Sequence, residues 1–189
     1  MSAAYLGFRV KSGWAAVVLI AGTRKAPRLI DSRVIELSDP RVAHSRQPYH
    51  AGLGTAQTNV AKVTRLIKGI ERFSRVTIAK LLAEYGAEHR IRRAGVVVAS
   101  LTDPATIANQ HMRAHGSEGQ LFRRVVVESL ERHGLAVRVV LERDVYALLG
   151  KRLRTAPVFA RARVAALGEG AGRWRAEQKV AAAAAWLIR

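Results

Sequence analysis

The sequence predicts an α/β fold in which one mixed, five-stranded sheet is flanked by helices. Two apolar runs, residues 5–10 and 14–21, are joined by Lys11, Ser12 and Gly13 in a pattern typical of a β-hairpin. Residues 58–86 then carry apolar side chains at helical spacing. The continuous apolar run 95–101 is typical of a parallel strand that is buried on both faces.

The first half of the chain supplies three strands and one long helix. Residues 27–37 form the third strand, and residues 38–57 form a long polar connection of the kind that is usually functional. The helix covers residues 58–86. Gly69 leaves open whether this helix is unbroken, and Gly86 is expected to be its C-cap.

The second half alternates helices and strands, which predicts right-handed crossovers that close a single sheet. After the strand 95–101 we expect a helix over 118–133, a strand over 137–141, a helix over 145–153, a short helix within 155–173 and an Ala-rich helix over 177–188. The length suits one domain over residues 1–189.

Composition narrows the class of protein. The 189 residues are 49% hydrophobic, which argues against global disorder, and no apolar run is long enough to span a bilayer. The absence of cysteine excludes disulfides and thiolate metal sites. With no basic segment before an apolar one at the start, we expect no secretory signal and a cytoplasmic location.

Net charge is the strongest compositional signal. The chain has 32 Lys and Arg residues against 14 Asp and Glu residues, a formal charge of +18. This excess favours a polyanionic partner, because neutralising phosphates releases counterions. We expect nucleic acid, with DNA ahead of RNA. An acidic protein or ribonucleoprotein surface and a merely basic soluble protein are the alternatives.

Several basic groups are candidates for that contact. On the helix 58–86, four cations fall at i, i+3, i+7 and i+10 and make one stripe. Trp174 lies between two arginines, an arrangement that suits stacking on a base, although the alternative that Trp174 anchors the last helix in the core is slightly favoured. The full set of candidates is Arg65, Lys68, Arg72 and Arg75; Arg90, Arg92 and Arg93; Arg9 and Lys11; and Arg173, Trp174 and Arg175.

A second constellation combines imidazole and carboxylate groups. If residues 110–119 are helical, His111, His115 and Glu118 share one face at i, i+4 and i+7, a spacing that could bind a divalent metal. Alternatively, Glu118 is a charge that complements the amino terminus of a helix.

Two more acids, Glu142 and Asp144, follow the strand 137–141 at its carboxyl end, the edge where open α/β sheets bind ligands. Together with Asp103 and the constellation around His111, they could converge on one polar cleft with catalytic roles. The alternative is that Glu142 and Asp144 form ordinary ion pairs with surplus arginines.

The order of elements, with Leu6-Gly7, Ser12-Gly13-Trp14, residues 123–144 and the Ala-rich helix from Glu177, resembles the ribonuclease H-like superfamily, specifically RuvC-type Holliday junction resolvases. The resemblance implies a four-carboxylate, two-metal site for phosphodiester hydrolysis. It places Arg9 where the first-strand carboxylate belongs, and it leaves Asp103 and Glu177 as weak metal candidates. The implied catalytic motif is therefore degenerate.

These observations favour a nucleic-acid-binding, RuvC-like protein without the standard two-metal site, acting on branched or structured DNA or RNA. One alternative is a nuclease or phosphoester hydrolase that uses His111, His115, Glu118, Glu142 and Asp144, with a divalent metal left open. Another is a basic structural or adaptor protein of a ribonucleoprotein complex. No membrane partner is expected, and the sequence leaves a homodimer open.

Overall fold

The computed structural model describes residues 2–52, 54–172 and 174–189. Its elements are β1 (Ser2–Lys11), β2 (Trp14–Gly22), β3 (Pro27–Glu36), β4 (His50–Gly52), β5 (Thr55–Ala56), α1 (Val60–Gly86), β6 (His89–Val98), α2 (Gln110–Arg132), β7 (Ala136–Leu141), α3 (Val145–Leu153), α4 (Pro157–Leu167) and α5 (Ala176–Leu187). Single 3-10 turns at Pro104–Thr106 and Glu142–Asp144 lead into α2 and α3. Each helix in the described ranges is too short or too polar to cross a bilayer.

Five strands form one mixed sheet, as predicted, and their order in the sheet is β3-β2-β1-β6-β7. The first three pair antiparallel, while β6 and β7 continue the sheet in parallel with β1. The predicted opening hairpin is confirmed, with Lys11 opposite Trp14 and Gly13 at a φ of +83° in the turn. β4 and β5 form a separate small hairpin within the long polar connection.

The interior strand β6 starts earlier and ends earlier than the apolar run predicts. It begins at His89, so Arg90, Arg92 and Arg93 lie inside the strand rather than before it. The start of β1 pairs with these residues and satisfies their backbone hydrogen bonds, so the strand forms there even though several of its side chains are charged. Residues 94–98 are buried, as predicted for an interior strand, whereas Leu101 lies beyond the strand and is 50% exposed.

Two helix boundaries also differ from the prediction. α1 passes through Gly69 without a break, and Gly86 is its last helical residue, followed by Ala87 in a right-handed conformation. Gly86 is therefore not the predicted left-handed cap. α2 begins eight residues earlier than expected, because the Asn109 side chain accepts a hydrogen bond from the Met112 amide at 3.0 Å and caps the helix there.

The sheet has a helical layer on each face. α1 and α2 cover one apolar face, and α3, α4 and α5 cover the other. α5 lies very close to β1, and the absence of a side chain at Gly7 permits this approach. A Cβ added at Gly7 would be 1.8 Å from the Ala181 carbonyl oxygen. The Trp186 indole donates to the Arg24 carbonyl, in the β2–β3 turn, at 3.0 Å. α5 therefore runs opposite to β1 and begins near the carboxyl edge of the sheet.

Candidate functional site

A cleft of about 440 Å³ lies at the carboxyl edge of the sheet, between the ends of β1 and β6 and the first turns of α2. Its polar lining comes mainly from Arg9, Lys11, Ser100, Thr102, His115 and Arg123. The carboxyl ends of the parallel strands lie together at this edge, so side chains that are distant in sequence meet there. The charged groups on its wall are cationic, and this makes the cleft suitable for an anion.

Arg9 is held inside the protein rather than presented to solvent. Its side chain is 2% exposed, its Nη1 donates to the Val10 carbonyl at 2.6 Å, and its Nη2 donates to the carboxylate of Glu142. Glu142 follows β7 and is 43% exposed. Arg9 is one of the residues predicted to contact nucleic acid. In the structure its guanidinium instead neutralises Glu142, which matches the ion-pair alternative for that acid.

The other predicted acids have local structural roles. Asp103 accepts a hydrogen bond from the Ala105 amide at 3.0 Å and caps the turn at Pro104–Thr106. Asp144 is 52% exposed and lies 4.0 Å from Arg143. Glu177 is in the first turn of α5, where a negative charge complements the helix dipole. Within the described residues, these acids join no group of three or more potential metal ligands.

His111, His115 and Glu118 do come together, and a residue missed by the sequence analysis joins them. His50, from β4, places Nδ1 at 2.7 Å from Glu118 Oε1 and Nε2 at 3.3 Å from His111 Nδ1. His111 Nε2 is 3.2 Å from His115 Nε2. One ring nitrogen from each histidine lies within 4.8 Å of the others, so the three imidazoles could hold a metal ion.

Burial shifts the pKa values of two groups in the histidine cluster, which consists of His50, His111 and His115 with Glu118. The Glu118 side chain is fully buried, and its burial raises the pKa of the carboxyl, while hydrogen bonds from His50 and from the Tyr49 amide oppose that rise. Burial, together with the neighbouring imidazoles, lowers the pKa of His115. Both effects favour the neutral form of His115, in which one ring nitrogen carries a lone pair that can accept a proton or bind a metal.

Local structure explains why these side chains meet. Asn109 starts α2 early enough that His111 and His115 lie one above the other on its first turns. His50 reaches them from the polar connection 38–57, where its amide donates to the Gln47 carbonyl at 3.1 Å. The length of that connection indicates function, but no spacing rule links His50 to a helix 60 residues later.

The predicted stripe on α1 faces solvent. Arg65, Lys68, Arg72 and Arg75 are all exposed, and within the described ranges none of them pairs with an acid. Ten residues of helix separate the first from the last, a length of about 15 Å. Beside the stripe, a groove of about 690 Å³ also contains Arg41 and Lys80.

The remaining basic candidates do not extend this surface. Arg90, Arg92 and Arg93 lie in the amino-terminal half of β6, about 16–26 Å from its carboxyl end. Trp174 is half-buried in the core beside α4, and its indole donates to the Val164 carbonyl at 3.3 Å, so it anchors rather than stacks on a base. Arg175 is exposed just before α5, and Arg173 lies outside the described residues.

The fold can be compared with known proteins. No family model and no curated protein matches this chain. RuvC of Thermus thermophilus in complex with a Holliday junction substrate superimposes with a TM-score of 0.58 at 12% identity, over 98% of this chain and 91% of that chain. A second structure of Thermus thermophilus RuvC gives 0.52 at 15% identity, over 97% and 91%. The chain therefore has a ribonuclease H-like, RuvC-like fold.

Proposed function

We propose that this chain is a cytoplasmic protein that binds branched or structured nucleic acid, DNA in preference to RNA, as a single ribonuclease H-like domain. We further propose that it does so without the two-metal nuclease site of the RuvC type. The exposed positive charge on a RuvC-like fold supports the proposal of nucleic-acid binding. Support for the second proposal comes from the side chains at the carboxyl edge of the sheet.

The observation that carries the binding proposal is the exposed stripe Arg65, Lys68, Arg72 and Arg75, which the described acids leave unpaired. Unpaired cations gain most from a phosphate backbone, because they lose no internal partner on binding. A row about 15 Å long matches the close spacing of phosphates along a duplex. Arg41 and Lys80 in the adjacent groove widen the positive surface.

The residues at the carboxyl edge do not fit a pair of divalent ions. The resemblance to resolvases places a carboxylate at position 9, where this chain has an arginine that cannot deprotonate. Its guanidinium forms an ion pair with Glu142. Asp103 caps a 3-10 turn, and Glu177 lies in the first turn of α5, where its charge complements the helix dipole.

The direct test is a salt titration of binding to a four-way DNA junction, a DNA duplex and a matched RNA. Four phosphate contacts predict a slope of about −3.6 for log affinity against log salt. Reversing two charges, Arg65→Glu with Arg72→Glu, should reduce that slope by about 2 and weaken binding to all sequences equally. The matched control is Arg24→Glu with Lys25→Glu, an exposed pair in the β2–β3 turn near α5, on the other face of the sheet.

Unchanged binding in the α1 variant, or an equal loss in the control, would remove the stripe from the interface. Salt-independent binding would favour the adaptor alternative, since an interface with protein releases few counterions. Light scattering of the same samples, with and without DNA, tests whether a homodimer forms.

One observation favours a second candidate, a phosphoester hydrolase on the same scaffold. His115 lines the cleft that also contains Lys11 and Arg123, so a neutral imidazole lies beside groups that could hold a phosphate. Cleavage that is lost in His115→Ala but retained in Asp103→Asn would support this candidate. Cleavage that depends on Asp103 and ignores His115 would instead indicate the resolvase chemistry that we propose is absent.

A further inference from the structure

We propose that His50, His111 and His115 bind one divalent transition-metal ion, of which Zn²⁺ is the representative, and that Glu118 is the outer-sphere carboxylate that orients His50. The site joins β4, in the long polar connection, to the start of α2. It is distinct from the carboxylate positions that the fold resemblance implies. The proposal concerns metal binding alone, and it stands whether or not the chain binds nucleic acid.

With one nitrogen taken from each ring, the three imidazoles lie within 4.8 Å of one another, and each neighbouring pair of rings approaches to the ligand spacing of a tetrahedral ion. Zn–N bonds of about 2.0–2.1 Å place neighbouring tetrahedral ligands about 3.3–3.4 Å apart. His50 Nε2 and His111 Nδ1 are 3.3 Å apart, and His111 Nε2 and His115 Nε2 are 3.2 Å apart. Because His111 can ligate through only one nitrogen, one ring must turn on binding. The His115 side chain is 44% exposed and has room to do so.

The Glu118 carboxylate supplies an independent observation. It is fully buried, and its Oε1 accepts from His50 Nδ1 at 2.7 Å, which leaves the lone pair of His50 Nε2 directed at the other imidazoles. Its Oε2 has no hydrogen-bond partner among the residues that the structure describes. Metal-bound histidines commonly donate their second ring nitrogen to such a carboxylate, which fixes the tautomer and strengthens the ligand.

A chain of hydrogen bonds between neutral imidazoles could produce similar distances without an ion. Such a chain leaves the buried charge of Glu118 without a compensating cation, because no Lys or Arg contacts it in the described part of the molecule. Burying an unpaired carboxylate is costly. A dication one imidazole away offsets that cost, which favours a metal site over the bare chain.

The donor set selects the class of ion. Three imidazoles suit Zn²⁺, Co²⁺, Ni²⁺ or Cu²⁺, whereas Mg²⁺ and Ca²⁺ prefer oxygen ligands. Three protein ligands leave a fourth position open, as in catalytic rather than structural zinc sites. His115 also lines the cleft that contains Lys11 and Arg123, so water or a phosphate oxygen bound in that cleft would lie close to the site.

The test is isothermal titration calorimetry of untagged, metal-free protein with Zn²⁺ and, separately, with Mg²⁺, in the absence of nucleic acid. We expect one Zn²⁺ per chain and much weaker binding of Mg²⁺. Co²⁺ should give the intense visible absorption of a tetrahedral site. His115→Ala removes a ligand from an exposed helical position, so the fold is retained, and its Zn²⁺ affinity should fall by more than about 100-fold. Glu118→Gln should weaken binding by about 10- to 100-fold.

The matched control is His89→Ala, which removes the histidine at the start of β6, where it hydrogen-bonds to Ser2 rather than to another imidazole. Its Zn²⁺ affinity should equal that of the wild type. Failure of the wild-type protein to bind one Zn²⁺, or equal affinities of His115→Ala and His89→Ala, would overturn the proposal. The three imidazoles would then be a hydrogen-bonded chain. Because no nucleic acid is present, this result is separate from that of the salt titration.

Discussion

The ion pair between Arg9 and Glu142 should respond asymmetrically to the loss of either partner. Arg9 is 2% exposed, whereas Glu142 is 43% exposed. Replacing Glu142 leaves a buried guanidinium that cannot lose its proton and retains only its hydrogen bond to the Val10 carbonyl. Replacing Arg9 leaves a carboxylate that water can already reach. The two substitutions therefore break the same contact at different cost.

The magnitudes follow from burial. Removing one partner of a buried pair costs about 3–5 kcal/mol, and we expect Glu142→Gln to cost about 3 kcal/mol, since its partly exposed side lets water approach Arg9. Arg9→Met keeps the apolar volume and removes the buried charge, so it should cost less than about 1 kcal/mol. The double variant should be about as stable as Arg9→Met alone, which gives a coupling free energy of about 3 kcal/mol, equal to the cost of Glu142→Gln.

Urea denaturation of the four proteins measures these differences. Asp144→Asn is the control, because it removes the neighbouring acid, which lies on the surface 4.0 Å from Arg143, and it should not change the unfolding midpoint. If Arg9→Met proves more destabilising than Glu142→Gln, the burial argument is wrong. Arg9 would then stabilise the protein through packing rather than through neutralising Glu142.

Further predictions concern stability. Gly7→Ala should destabilise the fold by about 3 kcal/mol, because its Cβ would be 1.8 Å from the Ala181 carbonyl oxygen. Gly69→Ala lies on the exposed side of α1, with no described atom within 4 Å of the added Cβ, and should instead stabilise the fold by up to about 1 kcal/mol. If the urea midpoints of the two variants shift in the same direction, both predictions are refuted. Burial and the hydrogen bond to Asp31 raise the pKa of Tyr85 above its ordinary value. The folded state therefore holds this proton more tightly than the unfolded state, and stability should fall above pH 10 by up to about 1.4 kcal/mol per pH unit. Tyr85→Phe should lose less stability between pH 9 and 11, and parallel stability curves would contradict this.

The fold could be predicted because its strands carry local signals. The tight turn at Gly13 and the apolar run from Gly95 identify the hairpin and the interior strand without any tertiary information. The boundaries that the prediction missed depend on pairing and capping. β6 starts at His89 because β1 lies beside it, and α2 starts at Gln110 because one asparagine side chain caps it. The spacing of apolar residues predicts neither the pairing of β6 with β1 nor the cap at Asn109.

The candidate site could be predicted only in part, for a similar reason. His111, His115 and Glu118 share a helix face, so their spacing indicates a cluster as soon as that segment is helical. His50 comes from a two-strand hairpin in the polar connection, and its place beside them is set by the packing of β5 and α2. The pairing of Arg9 with Glu142 likewise needs the order of strands, because 133 residues separate the two.

The charges around the carboxyl edge divide it into an anionic and a cationic side. Arg9 and Glu142 cancel each other, which leaves Lys11 and Arg123 as the cations of the cleft. The carboxylate of Glu118 lies beyond the imidazoles, and its Oε2 accepts no hydrogen bond among the described residues, although His115 Nδ1 lies 3.6 Å from it. The proposed metal ion is therefore drawn toward the histidine cluster and a phosphate toward Lys11 and Arg123, so the two ligands would occupy adjacent positions without competing. On a RuvC-like fold, this arrangement separates metal binding from the strand position where the resolvase resemblance places it.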